Sequence, residues 1–157
     1  PNGLNGPKTF CPWVLDLRPV YYSYEQYGTG KAGYIYALGN PFIFWAGFIA
    51  VCYLTFDLIK KRSLKLGFVL LAYFVFWAPW ILTPRIMFLS HYLPSVPFMA
   101  IALGILLNRL YQSGYKYVVY SIIAIFIFAF FYFYPITSGF PIDVAKIDKF
   151  MWIESWR

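Results

Sequence analysis

The sequence predicts an all-α integral membrane protein with four transmembrane helices, and three observations carry that expectation. The chain of 157 residues is 61% apolar and only 12% charged, against roughly 25% charged in a soluble domain. Aromatic residues reach 24%, with 17 Phe, 15 Tyr and 6 Trp. The apolar residues gather into four long runs, near 41–59, 66–82, 97–111 and 117–134. So little polar surface cannot cover a globule, and the bilayer is therefore the solvent for much of the chain.

Residues 1–40 are rich in Gly, Pro, Tyr and Trp and lack an uninterrupted apolar span. The rings of Trp13, Tyr21, Tyr22, Tyr24, Tyr27, Tyr34 and Tyr36 suit a headgroup layer. This stretch is expected to be an extracytoplasmic interfacial segment, partly helical around Tyr21–Tyr27. The opening PNGLNGPKTF has neither an initiator Met nor the form of a signal peptide, and is expected to lie inside a longer protein. Asn40-Pro41 is a helix-start signal, with Asn as the cap and Pro at the first helical position.

The first span, 41–59, has 19 residues and one charge, Asp57; at 1.5 Å per residue it reaches roughly 28 Å, about the hydrocarbon thickness. Asp57 is expected to meet Lys60 or Lys61, its neighbours on the same helix face. The basic stretch KKRSLK follows. The second span, 66–82, carries no charge and has Pro79 between Trp77 and Trp80, a signal for a kink or a finish. The third, 97–111, follows the start signal Ser95, and Arg109 is expected to snorkel to the headgroups. Gly104, Ala100 and Ala102 mark an expected close helix contact. The fourth, 117–134, is uncharged. Residues 135–157 form an extracytoplasmic amphipathic tail, with Ile147, Phe150, Met151 and Trp152 set against Lys146, Asp148 and Glu154 as in a surface helix.

The net charge of +7 is distributed by topology. The stretch after the first span holds +3 with Asp57 counted, and that after the third holds +2. The positive-inside rule puts both in the cytoplasm, and puts the two termini and the 83–96 loop on the other side. A nucleic-acid partner is not expected. Cys11 and Cys52 are far apart, and Cys52 lies in an apolar run where a thiol packs as a small hydrophobe, so a disulfide between them is not expected.

Few residues have the makings of a site. GTGKAG at Gly28–Gly33 has neither the GK[ST] ending nor the strand–loop–helix setting of a phosphate loop. One His and two scattered Cys give no zinc spacing, and no metal site is expected. Ser90 or Ser95 would need a distant Asp for a catalytic triad. The stretch TPRIMFLSHYLPSVP, Thr83 to Pro97, remains. It holds Arg85, suited by its planar fork to a lipid phosphate, and His91, able to donate or to carry charge. Tyr92 beside them more often packs than binds. Arg18, in the N-terminal segment, is a further candidate, weighed against an ordinary surface charge. An interfacial anchor is the competing reading of Arg85, and a capped helix end that of His91.

CPWVLDLRPVYYSYEQYG, then YALGNPFIFW, PRIMFLSHYLPSVPF, YPITSGFPI and MWIESW together resemble the C-terminal four-helix region of the protein O-mannosyltransferases, glycosyltransferase family 39. The resemblance covers nearly the whole chain, and its tail is more similar to bacterial members. It implies the C-terminal part of a GT-C type glycosyltransferase, moving mannose from a polyprenyl- or dolichyl-phosphate carrier to Ser or Thr hydroxyls of proteins. It further implies inversion, no metal or other cofactor, and a bacterial plasma membrane, or the ER membrane for a eukaryotic chain. The family's catalytic acidic pair lies upstream. The six acids here, Asp16, Glu25, Asp57, Asp143, Asp148 and Glu154, are isolated from one another, so no catalytic residue is expected in this chain. Its partners would be membrane lipid, the lipid-linked donor, the protein acceptor and the remainder of its own chain. Arg85 and His91 carry over as donor-phosphate residues. A non-catalytic four-helix scaffold subunit is the alternative reading. A transporter ranks below it, because the spans lack mid-membrane charges.

Overall fold

A computed structural model describes residues 14–17, 19–28, 30–79, 91–153 and 156. Two strands, β1 (Val20–Tyr27) and β2 (Lys31–Ala37), form an antiparallel hairpin. This corrects the helix expected near Tyr21–Tyr27. The segment VYYSYEQY is dense in Val and Tyr, which favour a pleated surface, and Gly28 and Gly30 supply the positive φ angles of 60° and 83° at the turn. GTGKAG is thus a hairpin turn running into β2. Cross-strand ring pairs reinforce the register, Tyr21 with Tyr36 at 5.4 Å and Tyr24 with Tyr34 at 5.2 Å between centroids.

Among the described residues four α-helices follow: α1 (Pro41–Lys61), α2 (Leu64–Trp77), α3 (Val96–Gln112) and α4 (Lys116–Thr137). Three have the length and hydropathy to cross a membrane: α1, α4, and α3 with the 3-10 turn that leads into it from Leu93. The fourth, α2, is a shorter apolar helix of 14 residues, about 21 Å long at the usual rise. It gives way to a 3-10 turn at Ala78 and Pro79, where proline has no N–H to continue the ladder. Residues 80–82 of the expected second span lie outside the described residues.

The α1 start is built as its sequence signals. The Asn40 side-chain oxygen accepts from the amides of Phe42 and Ile43 at 3.2 and 3.4 Å. Its amide nitrogen donates to the Phe126 carbonyl of α4 at 2.8 Å, so one side chain caps a helix and ties it to another. At the far end of α4, Pro135 sits inside the helix, which nevertheless runs to Thr137. There the hydroxyls of Thr137 and Ser138 donate to the Tyr134 carbonyl at 3.1 and 2.7 Å.

Asp57 meets Lys61 at 3.1 Å, one of the two neighbours expected. It also meets Arg109 of α3 at 2.6 Å. Arg109, its side chain 31% exposed, is therefore held to an acid on a neighbouring helix. Inside an apolar bundle a paired charge is far cheaper than an isolated one. The pair also fixes α1 and α3 as parallel, with the α1–α2 and α3–α4 turns at one end. The close helix approach falls at Gly47, where an added Cβ would lie 2.6 Å from Met99 Cγ. Gly104 faces open space, which corrects the expectation of a contact centred there, although Ala102 is fully buried.

The tail does not form the expected α-helix. Pro141–Asp143 (β3) pairs antiparallel with β2, and Val144–Lys149 forms a 3-10 segment. Pairing with β2 claims the start of the tail, and Phe150 and Met151 then turn onto α4. The segments before α1 and after α4 thus share one sheet, ordered β1-β2-β3. Trp156 closes this end by donating to the Asp16 carbonyl at 3.0 Å. Asp16 is 1% exposed with φ at 53°. Neither of its carboxylate oxygens has a hydrogen-bond partner among the described residues. Burial pushes its pKa up to about 7, against a smaller opposing pull from the Gly39 backbone.

Two outcomes follow from this packing. Gly47→Leu in the full-length protein should cost about 1–3 kcal/mol through overpacking, read as a lowered Tm in detergent; an unchanged Tm would mean α1 and α3 do not approach this closely. For Asp16, the folded form holds its proton more tightly than the unfolded chain, so stability is fully present below about pH 4 and is lost as pH rises toward 7. The span from 3.8 to about 7 corresponds to about 4 kcal/mol at about 1.4 kcal/mol per pH unit. Asp16→Asn should raise Tm at pH 8 and flatten the dependence between pH 4 and 7. A variant no more stable at pH 8 would place the carboxylate in water.

Candidate functional site

The stretch singled out in sequence is described from His91 onward. His91 opens a helical turn that continues through the 3-10 residues Leu93–Ser95 into α3, and it is half-buried. Pro94 and Pro97 fit this tight entry, since proline's fixed φ suits the first helical positions and its missing N–H falls where none is needed. Arg85 and Arg18 lie outside the described residues, so of the four candidates the structure brings together only His91 and Tyr92, as chain neighbours.

Tyr92 is 1% exposed, and its hydroxyl stands 2.9 Å from that of Tyr73 and 3.3 Å from Met99 Sδ. Its ring meets Tyr73 edge-on at 6.2 Å and tilts against Phe44 at 6.0 Å. The Tyr92 side chain is thus enclosed and fixes the turn. Ser95 is the residue before α3, as expected, yet its hydroxyl does not cap that helix. It donates to the Tyr73 carbonyl of α2 at 3.2 Å, fully buried. Tyr73, which sequence reasoning did not single out, is therefore the hub between α2 and the 91–95 turn. Its place in an unbroken apolar run gave no signal, because the hydroxyl's partners come from a distant part of the chain.

Tyr73 also faces a second feature. An apolar groove of about 400 Å³ runs between α1 and α2, lined by Phe48, Val51, Cys52, Tyr73, Phe74 and Trp77 among others. Tyr73 and Trp77 stack at 6.2 Å along it. Cys52 opens onto this groove as a free thiol. The groove is nearly without polar atoms, so it suits a hydrocarbon chain, and its wall at Tyr73 leads directly to the His91–Ser95 turn. Tyr73 thus joins an apolar groove to a polar turn. Among the described residues no group of three His, Cys, Asp or Glu side chains is arranged to hold a metal ion.

Comparison with known proteins identifies the family of this region. Residues 9–156 match the family model described as the C-terminal four TMM region of protein-O-mannosyltransferase. A polyprenol-phosphate-mannose–protein mannosyltransferase of Mycobacterium tuberculosis is 26% identical over 92% of this chain and 31% of its own length. The dolichyl-phosphate-mannose–protein mannosyltransferase 1 of Saccharomyces cerevisiae is 30% identical over 92% of this chain and 21% of its own length. A solved structure of the S. cerevisiae protein O-mannosyltransferase Pmt1-Pmt2 complex bound to the sugar donor matches with a TM-score of 0.75 at 27% identity, over 92% of this chain and 23% of that one. The chain therefore spans about a third or less of the length of these relatives. With a family match over nearly all of its residues and a shared helical membrane fold, the chain belongs to the protein O-mannosyltransferases and corresponds to their C-terminal four-transmembrane region.

Proposed function

We propose that this chain forms the donor-lipid side of an enzyme that transfers mannose from a polyprenyl- or dolichyl-phosphate carrier to Ser or Thr hydroxyls of proteins. The observation that carries the reading is the family match across residues 9–156. The apolar groove between α1 and α2 supports it, being a fit for part of a polyprenyl chain beside the turn that holds His91. In this reading the transfer inverts the sugar carbon and uses no metal. Inversion needs a carboxylate to take the acceptor's proton and cations to stabilise the departing phosphate. The six acids of this chain are isolated in sequence, so the base comes from the remainder of the enzyme, and this region supplies the second requirement through Arg85 and His91.

Tyr92, Tyr73 and Ser95 hold the turn and so position His91. Arg18 is a secondary candidate for the same phosphate. The positive-inside rule gives the orientation: the 60–65 and 109–116 turns face the cytoplasm, while the sheet, both termini and the 83–96 loop face the other side. For the bacterial chain that the tail suggests, the membrane is the plasma membrane.

In the full-length enzyme, Arg85→Ala should lower mannosyl transfer at limiting donor at least 10-fold, equivalent to about 1.4 kcal/mol of lost charge stabilisation. Arg85→Lys should recover part of it, because Lys keeps the charge and loses the fork. Unchanged kinetics for the Ala variant would leave Arg85 an interfacial anchor.

A further inference from the structure

The end of the bundle opposite the sheet carries charge out of proportion to its size. Lys60, Lys61, Arg62 and Lys65 crowd the α1–α2 turn, and Arg109 and Lys116 flank the α3–α4 turn. The Asp57–Arg109 contact at 2.6 Å places both turns together. Against these six cations stands the single carboxylate of Asp57, leaving a net +5. That carboxylate is already engaged by Arg109 and Lys61. Among the described residues Lys60, Arg62, Lys65 and Lys116 have no acidic partner, and all four are exposed.

The turn geometry concentrates this charge. Only Arg62 and Ser63 separate α1 from α2, and Arg62 takes the left-handed conformation, φ 48°, while its amide donates to the Leu58 carbonyl at 2.8 Å. The reversal is therefore tight, and the cations stand on one tip instead of spreading along a flexible loop. Large apolar side chains surround them: Ile59 is 72% exposed, Leu64 91% and Tyr117 86%. Lys60 and Lys116 lie over the rings of Phe56 and Tyr111 at 4.4 and 5.2 Å. Apolar groups that seek acyl chains, interleaved with unneutralised cations, match the layered chemistry of a lipid surface at the level of its phosphates. Positive-inside topology accounts for the presence of basic residues at this end. It does not require that Lys60, Arg62 and Lys65, at or beside one two-residue reversal, all lack an acidic partner among the described residues.

We propose that the two turns at this end form a binding surface for anionic phospholipid headgroups, with Lys60, Arg62 and Lys65 as its core and Lys116 at its rim. The complementary partner is a phospholipid carrying net negative charge, held by its phosphate and headgroup while Leu64 and Ile59 enter the acyl layer. Which leaflet supplies it rests on the orientation proposed above. The binding itself does not, because in detergent both ends of the protein are open to added lipid.

The test is lipid binding to the full-length enzyme in neutral detergent, followed by native mass spectrometry with dioctanoyl phosphatidylglycerol and dioctanoyl phosphatidylcholine. The wild type should prefer the anionic lipid at least fivefold, the scale expected from one or more basic residues at a surface. The triple variant Lys60→Gln, Arg62→Gln, Lys65→Gln should lose most of that preference while keeping its melting temperature, since Asp57, Lys61 and Arg109 are untouched. Salt at 1 M, with a screening length near 3 Å, should abolish the preference in the wild type and so gives an answer even if the variant fails to fold. Equal binding of the two lipids by the wild type, or a preference that persists in the folded variant, would overturn the proposal and leave the charge purely topological. Competition by glycerol phosphate at the same concentration would also overturn it, by assigning the surface to free phosphate. A cysteine at Leu64, labelled from one side of intact cells, tests the orientation separately.

Discussion

The ion pair of Asp57 with Arg109 sets the frame for the rest of this chain. Asp57 lies four residues from the end of α1 and Arg109 three from the end of α3, and each charge is cheaper paired than alone. Their meeting at 2.6 Å fixes α1 beside α3, in parallel and at a defined height. Everything else inherits that registration. Met99 lies against Gly47, Tyr92 reaches Tyr73, and the two basic turns come to one end while the sheet occupies the other. Lys61, on the open side of Asp57 at 3.1 Å, completes the neutralisation.

The same constraint recurs wherever a polar group lies within the bundle. In a bilayer each hydrogen-bonding group needs an internal partner, and here single side chains often serve two elements at once. Asn40 caps α1 and donates to a carbonyl of α4. Ser95 gives up the capping role its position offers and bonds the α2 backbone instead. Tyr73 accepts the Ser95 hydroxyl at its carbonyl and shares a hydroxyl–hydroxyl bond with Tyr92. The Tyr73 bonds join the α2 wall of the groove to the 91–95 turn, while the Asn40 bond holds α1 to α4.

Much of this was legible in the sequence, and the remainder was not for identifiable reasons. The helices could be read because the bilayer imposes long apolar runs, and the Asn40-Pro41 start because capping depends on adjacent residues. The pairing of Asp57 with Lys61 is likewise local. Its bond to Arg109 is not, and neither is the burial of Asp16, whose backbone is met by Trp156 from the other end of the chain. The hairpin at Val20–Tyr27 was hidden because tyrosine suits both a membrane interface and a strand, and only pairing with Lys31–Ala37 decides between them. Gly104 attracted notice as a small residue among alanines, whereas the close approach falls at Gly47, which no spacing rule marks. At the candidate site, His91 was found by its rarity. Tyr73 was not found, because a single hydroxyl in an apolar run has no local signature.

On the proposed function the groove holds part of the carrier lipid, and crosslinking tests this most directly. A polyprenyl phosphate carrying a photoreactive diazirine along its chain, added to the full-length enzyme and irradiated, reports its neighbours by peptide mass spectrometry. Adducts on groove residues such as Phe48, Cys52, Phe74 or Trp77, suppressed by excess unlabelled carrier, are the predicted result. Competable adducts confined to parts of the enzyme outside this region would contradict it.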